Sequence, residues 1–164
     1  MKKYLAAVAA ALVMAATVVI PWEGKRNAAY QDHIGVWTIC YGHTGKAVIK
    51  GLRASDAQCD IWLRDDLKIA YATTMKCVPG EIPVSVRAGF TSFAFNVGPG
   101  GKGVKDGMCM LKSGKTPTHV ILLNSGQYAK ACDAMLKWSN AGGKFSKGVH
   151  NRRLSEVEMC KADL

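Results

Sequence analysis

Glu23 and Asp32 stand nine residues apart, and Thr38 follows six residues later. Two carboxyl groups facing one another suit glycosidic bond cleavage. One protonates the leaving oxygen, and the other aims a water or attacks the sugar directly. The pair needs unlike environments, so that one carboxyl keeps its proton while the other stays ionised. The ordinary alternative is a solvated helix-end Glu and a turn Asp, because carboxylates mostly lie at the surface.

The flanking sequence says what could hold these groups. Glu23 follows an apolar run long enough to be a helix. Residues 30–41 turn to β-branched and aromatic types around Gly35, which reads as a hairpin. Glu23 then sits near a helix end, with Asp32 and Thr38 on a small sheet and a cleft between them.

The helix has a second reading. Lys2 and Lys3 precede residues 4–20, which carry no charge. This is the pattern of a cleaved signal peptide or of a membrane-spanning signal anchor. The lysines favour a cytoplasmic N-terminus. Ala9-Ala10-Ala11 would permit cleavage. Two features favour an uncleaved anchor: its Ala-rich composition gives a weak hold on lipid, and it runs almost directly into Glu23. Residues 13–22 must therefore supply the helix that presents Glu23. Pro21 is expected to bend or end that helix just before the carboxylate.

The remaining chain is long enough for one domain with a core. The net charge of the whole chain, +10, implies an anionic partner such as nucleic acid, a membrane surface or cell wall. The basic residues are scattered, with no recognition-helix or zinc-finger pattern, so no nucleic-acid partner is expected. The six cysteines show no C-x-x-C spacing and no His cluster. Disulfides in an oxidising compartment are expected rather than a metal, and Cys132 with Cys160 is the first candidate pair. Helices are expected over residues 56–74, with Ser55 or Asp56 as N-cap, then over 83–96 and 128–138, and through Cys160. Another is expected to begin over residues 108–111. Loops are expected over 43–54 and 141–144. Trp62 reads as core rather than as a platform for ligand. The run 98–103 is glycine-rich but lacks the phosphate-loop pattern.

Glu23, Asp32 and Thr38, with Trp37-Thr38-Ile39-Cys40-Tyr41-Gly42-His43-Thr44-Gly45, resemble the catalytic segment of the phage-type lysozymes, glycoside hydrolase family 24. Phe95-Asn96, Trp138 with Gly142-Gly143, and Gly148 followed by Arg152-Arg153 and Glu156 are further matches in order. The apolar N-terminus resembles that of signal-anchor-release endolysins. Residues 112–122 depart from the family pattern and are expected to be a surface insertion.

The resemblance implies an α+β, lysozyme-like fold, mostly helical, with a small antiparallel hairpin sheet flanking the cleft. It implies an anchor over residues 1–22 and a catalytic domain over 23–164. Glu23 would be the general acid, Asp32 the second carboxylate, and Thr38 an aid in placing the water. Thr44, Phe95 and Asn96 would bind substrate. Arg152 would pair with Glu23, and His43 would be a hydrogen-bonded support rather than a base. No metal or cofactor is implied. The substrate would be peptidoglycan, cut between N-acetylmuramic acid and N-acetylglucosamine. The protein would be a monomer held in the host inner membrane by residues 4–22, its catalytic domain periplasmic, and then released. The rival readings are a lytic transglycosylase and a non-enzymatic cationic membrane-disrupting protein.

Overall fold

A computed structural model describes residues 2–32 and 35–164. Met1, within the expected anchor, and His33 and Ile34, within the expected hairpin turn, lie outside the described residues. Helix α1 spans Lys2–Glu23. Its 22 residues extend about 33 Å, the thickness of a bilayer core. Pro21 does not end the helix. It lies in the last turn, so only one intrahelical bond is forfeited before the chain leaves the helix anyway. Gly24 then takes φ +64, and its N–H returns to the Ile20 carbonyl at 3.2 Å. Glycine adopts that left-handed turn without a Cβ penalty.

An antiparallel three-stranded sheet follows, β1 (Arg26–Gln31), β2 (Trp37–Cys40) and β3 (His43–Thr44), in that order. Tyr30 pairs with Thr38 and Gln31 with Trp37. β3 thus occupies the start of the expected loop. Helix α2 (Asp56–Cys77) is N-capped by Ser55, whose hydroxyl accepts the Gln58 N–H, and it runs one turn past the expected end. Helix α3 (Val84–Val97) is the centre of the molecule: residues 85–94 are all buried. It packs against α1, α2 and the last helix, α6 (Lys147–Cys160). At Gly89 a Cβ would stand 2.7 Å from Cys160 Cβ, so glycine is what lets α3 and α6 approach.

The expected helix over residues 108–111 is absent. That segment is part of an irregular loop between α3 and α4, with Met108 buried and Cys109 bonded to Cys77. A cross-link and tight turns, rather than local periodicity, set its path. The expected surface insertion is only partly one. Residues 112–116 are exposed, but Thr118–Asn124 forms α4 and buries His119, Val120 and Leu123. Helix α5 (Tyr128–Ala134) tightens into a 3₁₀ turn over Met135–Lys137. The expected loop at 141–144 is a hairpin of β4 (Asn140–Ala141) and β5 (Lys144–Phe145), turned by Gly142 and Gly143. The main core gathers Val86, Phe90, Phe93, Met108, Leu123 and Met135. A second joins Ala15 and Val19 of α1 to Ile39, Leu63 and Leu67. All six cysteines pair, as Cys40–Cys59, Cys77–Cys109 and the expected Cys132–Cys160.

Candidate active site

Helix α1 ends on Glu23, and α6 reaches back to it. Arg152 Nη1 donates to Glu23 Oε1 at 2.5 Å, with the Arg152 side chain 7% exposed and Glu23 22% exposed. The other carboxylate oxygen faces the sheet. A Cβ at Gly42, between β2 and β3, would lie 3.2 Å from Glu23 Oε2, and Gly42 has φ +86. Both the backbone turn and the close approach exclude a side chain there.

Arg152 is itself held from behind. Its Nε donates to Glu156 Oε1 at 3.2 Å, and the Ser92 hydroxyl donates to the same oxygen at 2.9 Å. Arg153 Nη1 lies 3.1 Å from Glu156 Oε2, and both of those side chains are fully buried. Burial pushes the Glu156 carboxyl above the ordinary carboxylate range, against the pull of Arg153, Arg152 and Ser92. Burial likewise lowers the Arg153 guanidinium to about 10. The two shifts run in opposite directions from one cause, because removal from water disfavours either charge. Arg153 also lies over the Phe93 ring, and its Nη2 donates to Asn96 Oδ1 at 2.5 Å. One oxygen of Asn96 is thereby engaged with the frame.

Asp32 lies just past β1 and is half-buried. Its Oδ1 accepts the Val36 N–H at 2.8 Å, and its own N–H donates to the Val36 carbonyl at 3.0 Å. Thr38 is 4% exposed, and its hydroxyl donates to that same Val36 carbonyl at 3.1 Å. Asp32 and Thr38 are thus linked through the backbone of Val36. No side-chain signal marks Val36 in the sequence, because its part is played by main-chain atoms.

Thr44 and Phe95 share one cavity of about 220 Å³ with Gly42, Asp66, Thr73 and Gly98. Asn96 borders a separate hollow with Trp138, Asn140 and Val149. His43 bonds through Nδ1 to Asp66 Oδ2 at 2.8 Å and stacks on Trp62, with ring centroids 4.7 Å apart. Trp62 is a half-buried wall for His43 rather than a residue of the deep core. Ser92, Val36 and Asp66 escaped sequence reasoning, and Glu156 entered it only as part of the family's closing motif, with no role assigned to it.

The cavities beside α1 are apolar. One lies between Leu12, Ala16, Leu63 and Leu67, the other between Met14, Val18, Trp22 and Met159. Neither contains a carboxylate pair suited to the chemistry at Glu23.

Comparison with known proteins bears on this arrangement. The phage lysozyme family model matches residues 21–156. The SAR-endolysin of Enterobacteria phage PA-2 is 35% identical over 138 residues, covering 84% of this chain and 76% of that protein. The SAR-endolysin of bacteriophage PS34 is 36% identical over 138 residues, covering 84% and 75%. The crystal structure of the active form of P1 phage endolysin Lyz shares the fold, with a TM-score of 0.77 at 23% identity over 90% of this chain and 82% of that one. A family match that begins beside Glu23 and ends on Glu156 spans the whole frame around the candidate acid, and the chain belongs to the phage lysozyme family.

Proposed function

We propose that Glu23 is the general acid and Asp32 the second carboxylate with which this lysozyme-type glycosidase hydrolyses peptidoglycan. The bond cut is the β-1,4 link between N-acetylmuramic acid and N-acetylglucosamine. The observation that carries the reading is the fixed attitude of Glu23. Arg152 holds Oε1, so Oε2, turned toward Gly42, is the oxygen left to hand a proton to the glycosidic oxygen. Asp32, oriented through Val36, aims the water, and the Thr38 hydroxyl helps to place it. Thr44 and Phe95 line the sugar site, while Asn96 opens onto the separate hollow with Trp138.

In an inverting reaction of this kind the carboxyl groups stand roughly 6.5–9.5 Å apart, with the water between them. Product analysis tests the reading. Hydrolysis releases reducing N-acetylmuramic acid ends and requires Asp32, so D32N should abolish most turnover. Anhydro-sugar products with D32N still active would establish a lytic transglycosylase instead.

The protein is an endolysin. In our reading α1 also controls it. The helix is long and apolar enough to cross a membrane, yet it is poorly covered by the domain. Leu5 is 61% exposed and Val13 is 67% exposed. A helix apolar on every face is ordinarily buried or in lipid. While residues 4–22 span the host inner membrane, with the catalytic domain periplasmic, α1 cannot pack against α3, and Glu23 is not brought to Arg152. Release into the periplasm completes the fold. Membrane fractionation before and after collapse of the proton-motive force checks this: the full-length chain should move to the soluble fraction. A shortened soluble chain alone would contradict it.

A further inference from the structure

Arg152, Arg153 and Glu156 are buried behind the cleft, and Glu23 is the member of this cluster that reaches water. Arg152 is shared between two carboxyl groups. Its Nη1 donates to Glu23 Oε1 and its Nε to Glu156 Oε1. Ser92 of α3 donates to the same Glu156 oxygen. The other oxygen of Glu156 meets Arg153 Nη1 as an ion contact at 3.1 Å. Both oxygens of Glu156 therefore face guanidinium N–H groups, and the ionised carboxylate is the form that accepts on both.

A general acid must meet its substrate protonated, yet an arginine in contact favours the ionised form of its carboxyl partner. The frame behind Glu23 holds two cations. Its single anion reduces their net positive charge from two to one. That difference is felt at Glu23, because charges in a buried cluster are weakly screened. We infer that Glu156 is a positioning residue for the acid: by engaging Arg152 and Arg153 it limits their attraction for ionised Glu23, which so keeps its proton to higher pH. Arg153 sets the opposite bias. The inference rests on Glu23 being the general acid.

The other groups around the acid are engaged elsewhere or lie toward the sheet. Lys25 pairs with Asp56 at 2.9 Å, and Arg26 lies over the Tyr30 ring at 4.4 Å. His43 is held by Asp66 of α2 at 2.8 Å. The sheet side carries Tyr41, Gly42 and Asp32, and α3 contributes the uncharged Ser92 and Asn96 to the frame. Among the described residues, the ion pairs of Glu156 are those with Arg152 and Arg153. The offset is thus set by these three side chains.

The alkaline limb of the kcat/KM profile, measured by reducing-end release from purified walls, reads the proton on the acid of the free enzyme. E156Q leaves both cations without their anion, and the limb should move about one pH unit or more to lower pH. R153M leaves Arg152 and Glu156 in balance, and the limb should move upward by a comparable amount. The double variant E156Q/R153M restores a single positive charge and should bring the limb back near its native position. E156D keeps the charge and should leave the limb in place. Lost packing lowers the height of these curves, so a merely structural Glu156 predicts slower variants with unshifted limbs. Methionine fills much of the space of a buried arginine, so R153M decides the matter if E156Q fails to fold. Unshifted limbs in the folded single variants, or shifts of both in one direction, would overturn the inference. E23Q separates the two levels. An inactive E23Q with unshifted limbs removes only the role of Glu156, whereas a fully active E23Q removes the acid assignment beneath it.

Discussion

Arg152 and Glu23 stand 129 residues apart in sequence and meet through a 2.5 Å hydrogen bond that joins α6 to the end of α1. The contact makes the candidate acid a product of tertiary folding. Removing Arg152 leaves Glu23 and Glu156 without a shared partner. R152A should cost about 3 kcal/mol of stability, the lower end for breaking a buried pair. R152K keeps the charge but loses the planar fork that spans both carboxylates. It should fold nearly as well as the native chain and still lose kcat by about tenfold or more, because a misplaced reacting group is costly. Thermal unfolding and reducing-end release, measured on the same preparations, separate the two effects.

Gly42 provides a second, independent handle on the same carboxylate. G42A would put a methyl group 3.2 Å from Glu23 Oε2 at a residue whose φ is +86. Strain of this kind costs about 1–2 kcal/mol. The account expects kcat to fall well beyond what that loss of stability explains, with KM little changed. A fall in Tm with full activity would mean that Glu23 Oε2 is not aimed at the reacting bond.

How much of this could be read in advance depends on the range of the interactions. Ser55 announces α2 because capping is local, and the apolar run before Glu23 announces α1. The β-branched residues around Gly35 announce the hairpin. Pro21 misled, because its cost depends on how many turns follow it, and here the helix ends two residues later. Residues 108–111 misled because their path is set by Cys77 and by the contact of Gly100 with Gly107 and Met110. Within the site, residue types and spacing pointed to Glu23, Asp32 and Thr38, and the family resemblance added Arg152. The Val36 backbone that links Asp32 to Thr38, and the Ser92–Glu156 support behind Arg152, arise from pairings that no local pattern encodes.

His119 gives the fold an acid limit. It is fully buried among Phe90, Phe93 and Trp138, and its Nε2 bonds to the Met108 carbonyl at 2.8 Å. Burial pushes its imidazole down to about 4 from an ordinary 6.5. The unfolded chain therefore binds a proton at His119 more readily than the folded one. Its contribution to stability is complete above pH 6.5 and is lost as pH falls from there toward 4. The loss amounts to about 3 kcal/mol. Urea midpoints at pH 7 and pH 4.5 should differ accordingly, and H119Q should shrink the difference while lowering stability at pH 7.

The role of Glu23 is tested most directly by the initial rate of reducing-end release from purified walls by E23Q, with all three disulfides formed and the folded state confirmed by thermal unfolding. The substitution keeps the size of the side chain and a carbonyl oxygen for Arg152 but removes the transferable proton. The account predicts a loss of about a thousandfold or more, within the range of general acid catalysis. A folded E23Q that releases reducing ends at the native rate would contradict it.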